Sequence, residues 1–474
     1  MRDYNFRIVL HKFALLAKEG GEVLKLELNS SARVGRFRAY LVLGFLIFNS
    51  IRIIFTFTPV YLNFMTFLYN FFIRLYQGAI YVTSVFGNPK AKLWIQGRKN
   101  LFSQLQDQLQ ANTKRIWIHA ASLGEFEQGR PLIEKIREQH PQYHILLTFF
   151  SPSGYEIRKN YAGANYISYL PLDTPSNARR FIDLINPEIV LFIKYEFWFN
   201  YLSELKKRNI PVYLCSAIFR ENQLFFKSWG TWYRRMLNFF THFFVQTENS
   251  KKLLGSIGFS NVTVTGDTRF DRVYSIASQA KEINEVKAFV GNFSCFIAGS
   301  TWEPDEDLLI RYINESQTPL KYIIAPHEIY SIHIERLEKL IRKNVVRFST
   351  WKQNMAGDYD VLIIDNIGML ASLYQYGKVA YIGGGFGKGI HNVLEAATFG
   401  LPVLFGPNHL KFQEAIDLIN EGGAFPVHNY NNLKDKLDEI YGNPSCLEIA
   451  GKKAAGFVKR NIGATEKIMM EIWH

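Results

Sequence analysis

From about Lys99 to the C-terminus, short runs rich in β-branched and aromatic residues alternate with amphipathic stretches of helical period, in two successive series. Runs apolar on both sides must be covered on both faces, and helices between consecutive strands supply those layers and force parallel pairing. The first series has candidate strands at Ile116 to His119, His144 to Phe150, Ile189 to Ile193, Val212 to Cys215, Phe243 to Gln246 and Val262 to Thr265. The second has Cys295 to Ala298, Tyr322 to Ala325, Val361 to Ile364, Val379 to Ile382 and Val403 to Phe405. A chain of 474 residues exceeds what one core organises. The expectation is an α/β protein of two doubly wound, Rossmann-like domains facing a cleft, over residues 91–280 and 290–474. Ligands bind such sheets beyond the carboxyl ends of their strands, so the loops after strands carry the chemistry.

In the second series, the run Tyr381 to Ala397 reads as a strand, a loop with five glycines and a helix start. Glycines Gly383, Gly384, Gly385, Gly387 and Gly389 admit a close approach of backbone amides to a phosphate, and a following helix N-terminus adds a favourable dipole. Neither the dinucleotide spacing nor the P-loop lysine is present, which counts against NAD and ATP chemistry. Asn392 and Glu395 lie three apart: Glu395 can accept from ribose hydroxyls, or the two form a capping pair. In the first series, the strand ending at His119 runs into Ala-Ala-Ser-Leu-Gly-Glu. Ser122 and Glu125 have capping-box spacing. The alternative is that Glu125 faces the cleft and removes a proton from an attacking alcohol, the helix N-terminus keeping it ionised and weakly basic. His119 reads as satisfied structure.

Between Ala39 and Pro89 only Arg52 and Arg74 are charged, and Ile53 to Ile73 would be long enough to span a bilayer. Basic residues flank the region on both sides, which fits one full span poorly. Polar residues Thr66, Asn70, Arg74, Gln77, Tyr81 and Ser84 recur at helical spacing beside Phe67, Phe71, Phe72 and Leu75, the pattern of an interfacial helix over 65–90. A buried helix of a soluble core is the competing reading. The net charge of +13 is scattered, without basic runs or nucleic-acid fingerprints, so an acidic lipid surface or a phosphorylated substrate is the expected partner and nucleic acid is not. Cys215, Cys295 and Cys446 form no CxxC pair and read as buried thiols.

Four segments occur in a set order. They are Trp-Ile-His-Ala-Ala-Ser-Leu-Gly-Glu at Trp117 to Glu125, Lys-Tyr-Glu-Phe-Trp-Phe-Asn at Lys194 to Asn200, Gly-Ser-Thr-Trp-Glu at Gly299 to Glu303, and the glycine-rich run Gly383 to Glu395. Together they resemble the 3-deoxy-D-manno-octulosonic acid (Kdo) transferases of lipid A assembly, over roughly Met65 to the C-terminus. The resemblance implies a GT-B fold, CMP-Kdo as donor, a lipid A precursor (lipid IVA) as acceptor, inversion at the anomeric carbon, no cofactor or obligatory metal, and the cytoplasmic face of the inner membrane. It implies Glu125 as general base and Glu196 as a second carboxylate, with Ser122, Gly124 and Lys194 on the acceptor side. Ser300, Thr301, Glu303, Pro326, His327, the loop glycines, Lys388, Asn392 and Glu395 would hold the donor.

Where family members have Ala-Pro-Arg-His, this chain has Ala325, Pro326, His327 and Glu328, so an expected arginine is missing; Lys388 and His327 are the candidate substitutes. Residues 1–64 have no counterpart in the family, and Met65 is expected to be the true start. The basic, aromatic stretch Phe225, Phe226, Lys227, Trp229, Trp232, Arg234 and Arg235 reads either as a dock for acceptor phosphates or as an ordinary amphipathic helix. Competing functions are a UDP-sugar-dependent transferase or epimerase on the same scaffold, and a noncatalytic lipid A-binding membrane protein.

Overall fold

The computed structural model describes residues 59–352 and 357–473. The first sheet consists of β1 (Lys114–His119), β2 (Tyr143–Phe149), β3 (Tyr166–Tyr169), β4 (Ile189–Ile193), β5 (Val212–Ala217), β6 (His242–Val245) and β7 (Val262–Val264). Its strands are all parallel, in the order β3-β2-β1-β4-β5-β6-β7. The two-residue period of β1 shows why the strand is buried on both sides. Ile116 and Ile118 point into a core with Phe126, Leu132, Ile133 and Ile136 of the helix Leu123–Gln139. Trp117 points the other way, edge-on to Phe181, Phe192 and Tyr201, with its indole N–H donating to Thr148 Oγ1 at 2.7 Å. Each such apolar side chain contributes roughly 1.5–3 kcal/mol when fully buried.

The second sheet is built from β8 (Ser294–Thr301), β9 (Leu320–Pro326), β10 (Val345–Arg347), β11 (Val361–Ile363), β12 (Val379–Ile382), β13 (Val403–Phe405) and β14 (Ala424–Pro426). It is also parallel, in the order β10-β11-β9-β8-β12-β13-β14. One core lies on each of its faces. Two doubly wound α/β domains are therefore present, as the alternation implied.

One element of residues 290–474 packs on the first sheet. The helix Ala464–Trp473 packs Ile468 and Met469 into the core of the first sheet. Asp271 fixes that return by accepting from the N–H groups of Gly463 and Thr465 and from the Thr465 hydroxyl.

The N-terminal helix runs from Pro59 to Val85. Tyr69, Ile73, Tyr76 and Ile80 pack with Trp94, Phe150, Leu172 and Trp198, while Phe71, Leu75, Val82 and Val85 are exposed on the other side. Among the described residues no helix is long and apolar enough to cross a membrane. Most of the expected extension over residues 1–64, and the first part of the Ile53 to Ile73 run, lie outside the described residues.

Candidate active site

In a doubly wound sheet the chain reverses direction at one point, and the two loops there diverge to leave a crevice. In the first sheet this point lies between β1 and β4, and in the second between β8 and β12. The segment after β1 carries Ser122 and Glu125, that after β4 carries Lys194 and Glu196, that after β8 carries Trp302 and Glu303, and that after β12 is the glycine-rich loop. Four segments distant in sequence therefore occupy the two switch points.

Glu125 sits in the first turn of the helix Leu123–Gln139, with Ser122 as its N-cap residue. The Ser122 hydroxyl does not cap the helix: it donates to Glu125 Oε2 at 2.6 Å. Burial, and then the charge of Glu196, raise the Glu125 carboxyl to about 7, against the opposing pull of Ser122 and Lys194. The expectation is a carboxylate kept ionised and weakly basic by the helix N-terminus; desolvation and a second carboxylate instead make it more basic. Glu196 is buried, accepting from Trp198 Nε1 at 2.5 Å and from His119 Nε2 at 3.1 Å. His119 Nδ1 in turn lies 2.8 Å from Thr148 Oγ1 and 3.1 Å from the Thr148 carbonyl oxygen. Lys194, in the left-handed region at φ 72°, has its ammonium lowered by burial and by Arg269. Gly124 is open to solvent.

The glycine loop is held from beneath. Gly383 lies against the carbonyl of Ser300, and a Cβ on Gly385 would stand 2.5 Å from the Gly406 nitrogen. Gly384 and Gly389 have φ of 91° and 141°. The Gly384 N–H donates to Asp305 Oδ2 at 2.8 Å, and those of Gly387 and Gly389 turn back onto the Gly384 carbonyl. These three amides are engaged inside the loop. Asp305 also accepts from Tyr381 Oη at 2.8 Å and from the Trp302 N–H at 3.0 Å. Thr301 is buried and donates to Glu306 Oε1 at 2.9 Å, whereas Glu303 is exposed with His333 Nδ1 at 3.9 Å. Pro326 ends β9 beside Thr301. His327 stacks on Trp302 and on His391, both at 4.5 Å, while Trp302 Nε1 donates to His391 Nε2 at 3.0 Å. Burial, then His327, lower the His391 imidazole to about 4, leaving it neutral. Lys388 is exposed on the loop, and Ser300 is held at φ 55°. Asn392 caps the helix Val393–Thr398 through the Leu394 N–H and also donates to Glu395 Oε1 at 3.0 Å.

Glu395 is raised by burial and, despite Asn392, by Glu127 of the first domain. Arg269 crosses between domains, pairing with Asp267 at 2.7 Å and with Glu414 at 2.8 Å. Among the described residues no three His, Cys, Asp or Glu side chains are grouped to hold a metal ion.

A family model described as 3-deoxy-D-manno-octulosonic-acid transferase (kdotransferase) matches residues 96–272, which include Glu125, Lys194 and Glu196. The chain is 29% identical over 344 residues to the 3-deoxy-D-manno-octulosonic acid transferase of Aquifex aeolicus (strain VF5), covering 71% of this chain and 89% of that one. It is 26% identical over 362 residues to the enzyme of the same name from Rickettsia felis, covering 73% and 76%. Over most of its length, then, this chain is similar to the Kdo transferases. Among solved structures, UDP-GlcNAc 2-epimerase from Neisseria meningitidis, bound to UDP-GlcNAc, shares the fold at a TM-score of 0.53 and 17% identity, covering 75% of this chain and 98% of that one. The arrangement of two parallel-sheet domains is thus GT-B-like.

Sequence reasoning missed Asp305 and Trp198. Asp305 lies only two residues beyond Glu303, but its partners Gly384 and Tyr381 are reached only through the β8–β12 pairing. For Trp198 a signal existed: it is two residues from Glu196, close enough for its indole N–H to reach the carboxylate. Of the basic, aromatic stretch, Phe225 and Trp232 are buried, and Trp232 stacks on Phe199 at 5.0 Å. Those two are packing residues.

Proposed function

We propose that this protein is an inverting glycosyltransferase that moves Kdo from CMP-Kdo to a sugar hydroxyl of a lipid A precursor, lipid IVA. The observation that carries the mechanism is Glu125, a carboxyl raised to about 7 at the carboxyl edge of β1, with a hydroxyl donor on one oxygen. A base with its pKa near working pH is suited to accept a proton as a bond forms. The acceptor oxygen bonds to the anomeric carbon, the bond from that carbon to the CMP phosphate oxygen breaks, CMP leaves with the electron pair, and the hydroxyl proton goes to Glu125. Glu196, immobilised by His119 and Trp198, keeps Glu125 basic. General base catalysis of this kind contributes roughly 10² to 10⁴ in rate. On the donor side, the exposed ammonium of Lys388 and the Ser300 turn face the departing phosphate, and Asn392 and Glu395 hold the ribose. Lys388 stands in for the missing arginine.

The protein works at the cytoplasmic face of the inner membrane in this reading. Support comes from the exposed stripe Phe71, Leu75, Val82 and Val85, with Arg74, Lys90 and Lys92 to meet acidic headgroups. Incubation with CMP-Kdo and a tetraacyl lipid A precursor, followed by product mass, tests the reaction. Mass gain by Kdo units is expected. A product formed only with a UDP-sugar, or tighter binding of UDP than of CMP, would favour the competing transferase or epimerase reading.

A further inference from the structure

Glu196 takes its position from Trp198, and Trp198 is the N-cap residue of the helix Phe199–Lys207. A helix start leaves its first N–H groups without intrahelical partners, and an N-cap side chain usually satisfies one of them. Trp198 has no acceptor to offer, and its only donor is engaged by Glu196. The capping is delegated to residues far away in sequence. The Phe199 N–H donates to Tyr69 Oη at 3.3 Å, the Asn200 N–H to Asp173 Oδ2 at 3.1 Å, and the Tyr201 N–H to Asp173 Oδ1 at 3.0 Å. Tyr69 Oη in turn donates to Asp173 Oδ2 at 2.5 Å, and Asn200 Nδ2 donates to the Asp173 carbonyl at 2.8 Å and to Asn70 Oδ1 at 2.9 Å. Asp173 is completely buried, so no water is at hand to replace a lost partner.

We infer that Tyr69 and Asp173 are positioning residues for transfer: through a cap supplied from outside, the N-terminal helix Pro59–Val85 sets where Trp198, and hence the Glu196 carboxylate, stands. The helix is then part of the site's construction as well as an attachment device. Its inward face, Tyr69, Ile73 and Tyr76, is held by the first domain while its outward face stays apolar and exposed. A tilt of the helix is passed to Glu196 through three hydrogen-bonded steps. The inference rests on the transfer reaction proposed above for its kinetic part, and on the cap alone for its structural part.

The test uses the full chain with Tyr69→Phe, which keeps the ring and removes one oxygen, together with Trp198→Phe, Asp173→Asn and the Tyr69→Phe/Trp198→Phe double variant. Hydrogen–deuterium exchange over residues 194–202 is expected to accelerate in Tyr69→Phe and Asp173→Asn. The turnover number is expected to fall about 10- to 100-fold, the scale set by a misplacement of about 1 Å at a reacting centre, with the donor KM within about twofold of wild type. Because both act through the position of Glu196, the double variant is expected to be no slower than the worse single variant. Unchanged exchange in Tyr69→Phe and Asp173→Asn, unchanged turnover in Tyr69→Phe, or losses that multiply in the double variant would overturn the inference. Should the wild type transfer no Kdo, the reaction proposal fails, while the exchange comparison still decides whether the cap exists.

Discussion

Removing the Ser122 hydroxyl isolates the balance that sets the Glu125 proton affinity. The hydroxyl donates to Glu125 Oε2 at 2.6 Å, a contact that favours the anion, while burial and Glu196 oppose it and bring the carboxyl from 4.5 to about 7. A hydrogen bond to a charged group contributes about 1.5–3 kcal/mol. Both residues are partly exposed, so the lower end applies. At 1.36 kcal/mol per pH unit, Ser122→Ala should move the Glu125 carboxyl up by about one unit. In the wild type, kcat/KM should rise with pH through a midpoint of about 7 and fall about tenfold per pH unit on the acid side. In Ser122→Ala the midpoint should move to about 8, with the alkaline plateau kept within severalfold. Acceptor phosphates also titrate in this range, but they do so identically for both proteins, so the difference between the profiles belongs to the enzyme. An unmoved midpoint, a shift to lower pH, or a plateau lowered equally at every pH would refute the reasoning.

Further outcomes follow from the same geometry. A carboxyl raised from 4.5 to about 7 favours the folded state at low pH, and that contribution disappears as pH rises through about 7. Glu125→Gln should therefore be more stable than wild type above pH 7, by on the order of 3 kcal/mol at most, and gain nothing below pH 4.5; thermal melts at pH 4 and pH 8 check this. Asp305→Ala loses the acceptor for the Gly384 and Trp302 amides and should lower stability by at least about 2 kcal/mol, with weaker CMP binding by calorimetry. Gly385→Ala should destabilise by at least about 2 kcal/mol through backbone collision, whereas Gly387→Ala, whose nearest neighbour would lie at 3.6 Å, should melt like wild type. Arg269→Met leaves Asp267 and Glu414 facing each other without their cation and should cost about 3 kcal/mol, a loss that Glu414→Gln should partly relieve in the double variant.

The central strands were legible because their apolar runs admit no polar face, and Ile189–Ile193, Val379–Ile382 and Val403–Phe405 have the expected bounds. The strands that escaped, β3, β10 and β14, are all at sheet edges and only three or four residues long. Tyr166–Tyr169, for instance, keeps Ile167 and Ser168 partly exposed, so doubly buried periodicity never develops. The site was legible where a carboxylate follows a recognisable strand, as Glu125 and Glu196 do. Its proton affinity was not, because the S-x-x-E spacing reveals the helix start but not that Glu196, 71 residues on, is brought beside it by the β1–β4 pairing. In sequence the glycine content points to a phosphate cradle. At Gly383 and Gly385 the absent side chains instead serve close packing against Ser300 and Gly406.

The central claim is that Glu125 takes the acceptor's proton during Kdo transfer from CMP-Kdo. The most direct measurement is a single-turnover reaction of Glu125→Gln with CMP-Kdo and tetraacyl lipid A precursor, read by product mass, alongside a CMP titration of the same sample. Unchanged CMP affinity is expected, with a transfer rate lower by about 10² to 10⁴ on the alkaline plateau and a gap that narrows below pH 7 as the wild type loses its ionised base. Transfer at the wild-type rate by Glu125→Gln would contradict it.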